Sequence, residues 1–191
     1  LPIEPQESYP PAQGTFSILF AGSLFHSKGV DVLLRACKVL QVNKVDFELN
    51  IAGKGDQEAN LKKLTRNLGL EHLVKFSGYL DPVNMDLAYK NCHLVALPSR
   101  VPENSPLTVL EAGVRGRAAL ASHLGGVPEL VERGRGFSFI SENSSNMANK
   151  LIEISKDLSL AADSANKMRE WVLQEFAPTT HWKLLSKHYQ N

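Results

Sequence analysis

The sequence lacks most of the residues that would identify it quickly. Its two cysteines, Cys37 and Cys92, have no metal-ligand spacing and form no disulfide framework. Cys37 falls on the apolar face of an expected helix and Cys92 just before an expected strand, so both read as reduced core thiols, in keeping with a cytoplasmic chain. No apolar run is long enough to cross a bilayer, and the start carries no signal-peptide pattern. There is no Asp-x-Asp, and His93, His123, His181 and His188 have no spacing that converges on a metal. Charge of either sign is scarce in excess: the net value is +1, which gives no electrostatic footprint for nucleic acid or an acidic partner. Internal repeats and low-complexity segments are missing as well. What remains is an ordinary globular composition over 191 residues, the length of one domain with a sizeable core.

The pattern that is present alternates. Residues 1–15 carry Pro2, Pro5, Pro10 and Pro11 and read as an extended linker. Strands are expected at Ser17 to Ala21, Phe47 to Ala52, Val74 to Ser77, His93 to Leu97, Ala118 to Ser122 and Gly136 to Ile140. Between them fall helical stripes: Val30, Leu33, Leu34, Cys37 and Leu40, then Leu61, Leu64 and Leu68 with Gly69 as a stop, then Asn84 to Lys90. A helix with Pro106 in its first turn runs through Glu111, and a short one surrounds Glu129. Such βα units predict an α/β, Rossmann-like parallel sheet of about six strands with helices on both faces. Everything after about Ser144 reads as helix. Met168, Trp171, Val172 and Phe176 share one face, and His181, Trp182, Leu185 and Tyr189 share another.

Chemistry-bearing residues gather where strands should end. Glu103 and Glu111 stand eight positions apart, one in the loop after the His93 strand and one inside the following helix. Ligands of open α/β sheets bind at that edge. The helix N-terminus between the two acids suits a phosphate, and flanking carboxylates suit hydroxyls, which together describe a nucleotide sugar. The same spacing also describes a solvated loop acid and a surface helix acid. Lys28 stands at the start of the first long helix, beyond the Gly22 turn, and can reach an anion held by loop amides. Gly53-Lys54-Gly55 has Glu58 where a dinucleotide fingerprint would place a third glycine, which disfavours NAD. Asp56 reads as an N-cap. Gly125-Gly126 reads as a turn, and Glu129 as structural.

In order and spacing, Gly22-Ser23-Leu24, Lys28-Gly29, Gly53-Lys54-Gly55, Gly78-Tyr79-Leu80, Glu103-x7-Glu111 and Gly125-Gly126 resemble the C-terminal, donor-binding domain of family 4 retaining glycosyltransferases of the GT-B fold. The likeness runs from about Phe16 to the C-terminus, so residues 16–191 are expected to form that domain and the N-terminal acceptor domain to be absent. The resemblance implies catalytic roles for Glu103, which would contact the transferred sugar, and Lys28, which would hold the donor diphosphate. It implies that Glu111 binds the ribose and that backbone near Leu80 meets the nucleobase. Donor contacts are further implied for Gly22, Ser23, Gly53, Lys54, Tyr79, Asn104, Ser105, Pro106, Leu107 and Thr108. Pro106 stands where many members have glycine. Ser23 stands where the family usually has an arginine, and Arg100, Lys54 or His26 would have to supply any second cation. The family's last helix crosses to the N-terminal domain, so Trp182 and Tyr189 either face a partner or cover their own domain.

The expected activity is transfer of a hexose from a nucleoside diphosphate sugar, UDP-glucose or similar, to a glycan or lipid-linked acceptor in polysaccharide biosynthesis. No metal or other cofactor is expected. Membrane association would come only through the absent domain, at the inner face. Two other readings stay open: a non-catalytic nucleotide-sugar-binding or interaction module, and a GT-B nucleotide-sugar epimerase or hydrolase.

Overall fold

The computed structural model describes residues 14–104 and 106–175. The linker through residue 13, Ser105, Phe176, His181, Trp182, Leu185, His188 and Tyr189 lie outside the described residues.

The strands are β1 (Phe16–Ala21), β2 (Phe47–Ala52), β3 (Val74–Gly78), β4 (Leu94–Leu97), β5 (Ala118–Ser122) and β6 (Phe137–Phe139). They form one six-stranded sheet in the order β3-β2-β1-β4-β5-β6, parallel throughout. This is the Rossmann-like α/β architecture expected, with strand ends displaced by a residue or so. The helices are α1 (Val30–Val42), α2 (Glu58–Asn67), α3 (Pro82–Lys90), α4 (Leu107–Val114), α5 (Val127–Val131), α6 (Ser144–Lys156) and α7 (Leu158–Glu175). Strand order reverses between β1 and β4, so the crevice of a doubly wound sheet opens at their carboxyl ends.

Both sheet faces are covered, as the unbroken burial of β1 and β4 shows. Phe16, Ile18 and Phe20 of β1 and Phe47, Leu49 and Ile51 of β2 join one core with Leu33, Leu34 and Cys37 of α1 and Leu151 of α6. On the other face, Leu19, Ala21 and Val95 pack with Tyr89 of α3 and Ala112 of α4. Beside them Val109 and Leu110 of α4 meet Met168 and Val172 of α7. Each fully buried leucine contributes about 1.5–3 kcal/mol. Cys37 and Cys92 are free and buried, and desolvation pushes the Cys92 thiol up to about 12.

Three helix starts differ from the local reading. Asp56 does not cap α2. It is exposed, Gln57 holds the cap position without a side-chain bond, and the Gln57 amide donates to the Leu24 carbonyl at 3.0 Å. The Glu58 amide, which an Asp56 cap would engage, donates instead to the Gly55 carbonyl at 3.2 Å. α3 begins at Pro82 rather than Asn84, because Asp81 accepts from the Asn84 amide at 2.9 Å and Pro82 fits the first turn. Pro106 is the N-cap of α4, one residue before the helix proper.

Gly29 joins the β1–α1 loop to the end of β4. Its φ is +64°, and a Cβ there would strike the Pro98 carbonyl oxygen. The Arg100 amide donates to the Ser27 carbonyl at 2.7 Å and closes the same junction. Gly29→Ala should therefore lower the unfolding free energy by about 2 kcal/mol or more, from left-handed strain plus a backbone clash. Urea denaturation measures it, and a change within experimental error would show that the junction has room.

Candidate functional site

The loops at the carboxyl ends of β1 to β5 build the site. At its centre Lys28 Nζ donates to Glu103 Oε1 at 2.7 Å, with side-chain exposures of 27% and 20%. The buried Ser99 hydroxyl donates to the same oxygen at 2.6 Å. Partial burial works against the Glu103 charge, but the Lys28 and Ser99 hydrogen bonds and the Lys28 charge outweigh it, so the carboxyl lies below its ordinary range. The loop bearing Glu103 is seated on Gly125-Gly126. The Gly126 amide donates to the Glu103 carbonyl at 2.8 Å, and a Cβ on Gly126 would strike the Asn104 carbonyl oxygen. The glycine pair thus does more than turn the chain. Ser99 and this glycine support were not anticipated as site elements, because neither has a local signal.

Arg100 is committed elsewhere. It donates twice to Asp31, at 2.7 and 2.8 Å, and also to Glu142 at 3.2 Å and the His26 carbonyl at 2.8 Å. Partial burial disfavours the Asp31 charge, yet the bonds and charge of Arg100 hold its carboxyl below the usual range. Arg100 therefore ties α1 to the β4–α4 loop. Of the cations considered beside Ser23, Lys54 and His26 are exposed.

Glu111, exposed on α4, accepts from the Tyr89 hydroxyl at 3.0 Å on Oε2. Between the two glutamates, no side chain among the described residues caps the N-terminus of α4. Pro106 has no N–H, so the amides of Leu107 and Thr108 are the first donors at that end, where the helix dipole favours an anion. Asn104 is exposed beside it.

A cleft of about 510 Å³ lies across the β1, β2 and β3 loops, lined by Gly22, Ser23, Ala52, Gly53, Lys54, Tyr79, Leu80 and Met85. It unites Gly22, Ser23, Gly53, Lys54, Tyr79 and Leu80, which lie far apart in sequence. Tyr79 is 72% exposed, while Leu80 and Met85 rest on the core beneath α3. Among the described residues, no group of three His, Cys, Asp or Glu side chains converges as a metal site, and no helix is long and apolar enough to cross a membrane.

Comparison with known proteins gives a consistent picture. A family model described as "Glycosyl transferases group 1" matches residues 4–171. An uncharacterized glycosyltransferase of Haemophilus influenzae is 34% identical over 155 residues, which are 80% of this chain and 43% of that protein. Anabaena HepE, solved in complex with UDP and glucose, superimposes with a TM-score of 0.81 at 26% identity, over 93% of this chain and 48% of that one. The solved C-terminal domain of LpcC, a group 1 family protein of Francisella tularensis, shares the fold with a TM-score of 0.76 at 22% identity, over 88% of each chain. The chain thus spans less than half the length of the Haemophilus and Anabaena proteins.

The Lys28–Glu103 pair sets a pH dependence. A carboxyl depressed in the folded state contributes stability that is present above its unfolded value, near 4.5, and is lost as pH falls through the folded value. The stability difference between the wild type and Glu103→Gln should be constant from pH 7 to about 5 and shrink below about 4.5. Denaturant titrations at each pH measure it, and a difference that grows on acidification contradicts the pairing.

Proposed function

We propose, for a chain that belongs to the group 1 glycosyl transferases, the role of donor-binding half of a retaining enzyme. That enzyme would move a hexose from a nucleoside diphosphate sugar, UDP-glucose or a close relative, to a glycan or lipid-linked acceptor. The acceptor would be held by a domain outside this chain, and any contact with the membrane would pass through that domain. The carrying observation is the placing of a cleft, a lysine and a helix N-terminus along one sheet edge. HepE, with the same fold and bound UDP, supports a uridine nucleotide.

In this reading the nucleoside enters the cleft under Leu80 and Tyr79, with its ribose hydroxyls on Glu111. The diphosphate lies at the start of α4, near the amides of Leu107 and Thr108, and takes Lys28 from Glu103. Giving up Lys28 leaves Glu103 able to accept from a sugar hydroxyl, still held by Ser99. Lys28 then balances the negative charge that grows on the leaving diphosphate, a preorganised electrostatic contribution. With a lysine and a helix end facing the phosphates, no divalent cation is required.

Ser23 favours a second reading. The arginine usual in the family is missing there, and Arg100 is held by Asp31 and Glu142. A chain with one strong phosphate cation also fits a nucleotide-sugar-binding module without transferase activity. Turnover by the full-length protein separates the two.

Calorimetry should detect UDP and UDP-glucose binding that persists in EDTA, whereas binding abolished by chelation would refute the metal-independent site. The two glutamates should also fail differently. Glu111→Ala should weaken UDP by about tenfold, the size of one hydrogen bond to a charged group. Glu103→Ala should leave UDP affinity intact and lower kcat of the full-length enzyme by roughly 10²–10³. Equal loss of UDP affinity in both variants would mean the pair is misassigned.

A further inference from the structure

Tyr89 is 1% exposed, yet its hydroxyl reaches the exposed carboxylate of Glu111 at 3.0 Å. Three elements fix it. Its ring lies in the core with Leu19, Val95 and Ala112. The Arg115 guanidinium stands over the ring, 4.7 Å from its centre, and is itself held by Asp86 at 2.9 Å. Arg117 donates to the Tyr89 carbonyl at 2.8 Å and anchors the end of α3. Burial, and after it the neighbouring Glu111 charge, raises the phenol well above its ordinary range, so it stays a donor at any working pH. Glu111 receives this bond on Oε2, and among the described residues no other side chain bonds its carboxylate.

Resting on the nucleoside role of Glu111 above, we propose that Tyr89 is a positioning residue for ribose recognition, holding one oxygen of Glu111 so that the other is presented to the ribose hydroxyls. An exposed glutamate on a helix samples several rotamers, and ordering it on binding costs affinity. A phenol locked in the core removes that cost beforehand. Tyr89 touches no donor atom itself, so its effect must pass through Glu111. A buried phenol also needs a partner for its own sake. A purely structural bond of that kind would not depend on which hydroxyls the nucleotide carries.

The test is a double-mutant cycle in this chain, with UDP and 2′,3′-dideoxy-UDP as probes. Tyr89→Phe keeps the ring and the Arg115 stack, and circular dichroism checks that it folds. Calorimetry should show UDP weakened about three- to tenfold in Tyr89→Phe, the cost of ordering one free side chain on binding. Dideoxy-UDP affinity should be unchanged, and Tyr89→Phe should add nothing to Glu111→Ala. Unchanged UDP affinity, equal loss for both probes, or a further loss in the Glu111→Ala background would overturn the positioning role. A Glu111→Ala variant that discriminates the two probes as the wild type does would instead overturn the ribose role of Glu111, and the proposal with it.

Discussion

The reversal of winding direction between β1 and β4 is the constraint on which the rest of the structure depends. Right-handed crossovers carry β2 and β3 to one side of β1, and β4, β5 and β6 to the other. The connections on the two sides diverge, and their loops part at the carboxyl edge. No helix can close that gap, so it stays open to a ligand. Lys28 enters it from the β1 side and Glu103 from the β4 side, and they meet at 2.7 Å although 75 positions separate them in sequence. Gly29 against Pro98 and the Arg100–Asp31 bridge hold the two sides together.

Charge in this edge is matched within the chain. Lys28 is answered by Glu103, and Arg100 by Asp31 and Glu142. These pairs are only partly buried, so their direct contribution to stability is modest. In the role proposed above, their consequence is selectivity. A ligand that takes Lys28 must bring more negative charge than one carboxylate offers, and a diphosphate does. A neutral sugar by itself cannot compensate the exchange. The shared Ser99 bond orients Glu103 beside Lys28.

The two glutamates have the same design at different depths. Each has one oxygen bonded by a hydroxyl that is itself buried, Ser99 for Glu103 and Tyr89 for Glu111. A hydroxyl rooted in the core transmits the rigidity of the sheet to a polar group at its rim. The site is therefore more rigid than its loop setting alone would suggest.

Much of the fold was legible in the sequence by itself. Short apolar runs located the strands and period-3.6 apolar stripes the helices, because a strand covered on both sheet faces is buried along its length while a helix buries one side only. The Glu103-x7-Glu111 spacing and the Lys28-Gly29 pair pointed to the sheet edge, because strand, loop and helix start are local events. Tertiary structure alone decided the partners. The hold of Tyr89 on Glu111, the seat of Gly126 under Asn104 and the commitment of Arg100 to Asp31 all join segments with no local cue for one another. The Asp56 cap failed because the Gly55 carbonyl took the Glu58 amide, while a carbonyl from another loop, that of Leu24, held Gln57 at the helix start. Sequence patterns record what each segment must bury. Which polar groups then face each other depends on how strands order in the sheet, and that order is set only when the whole core closes.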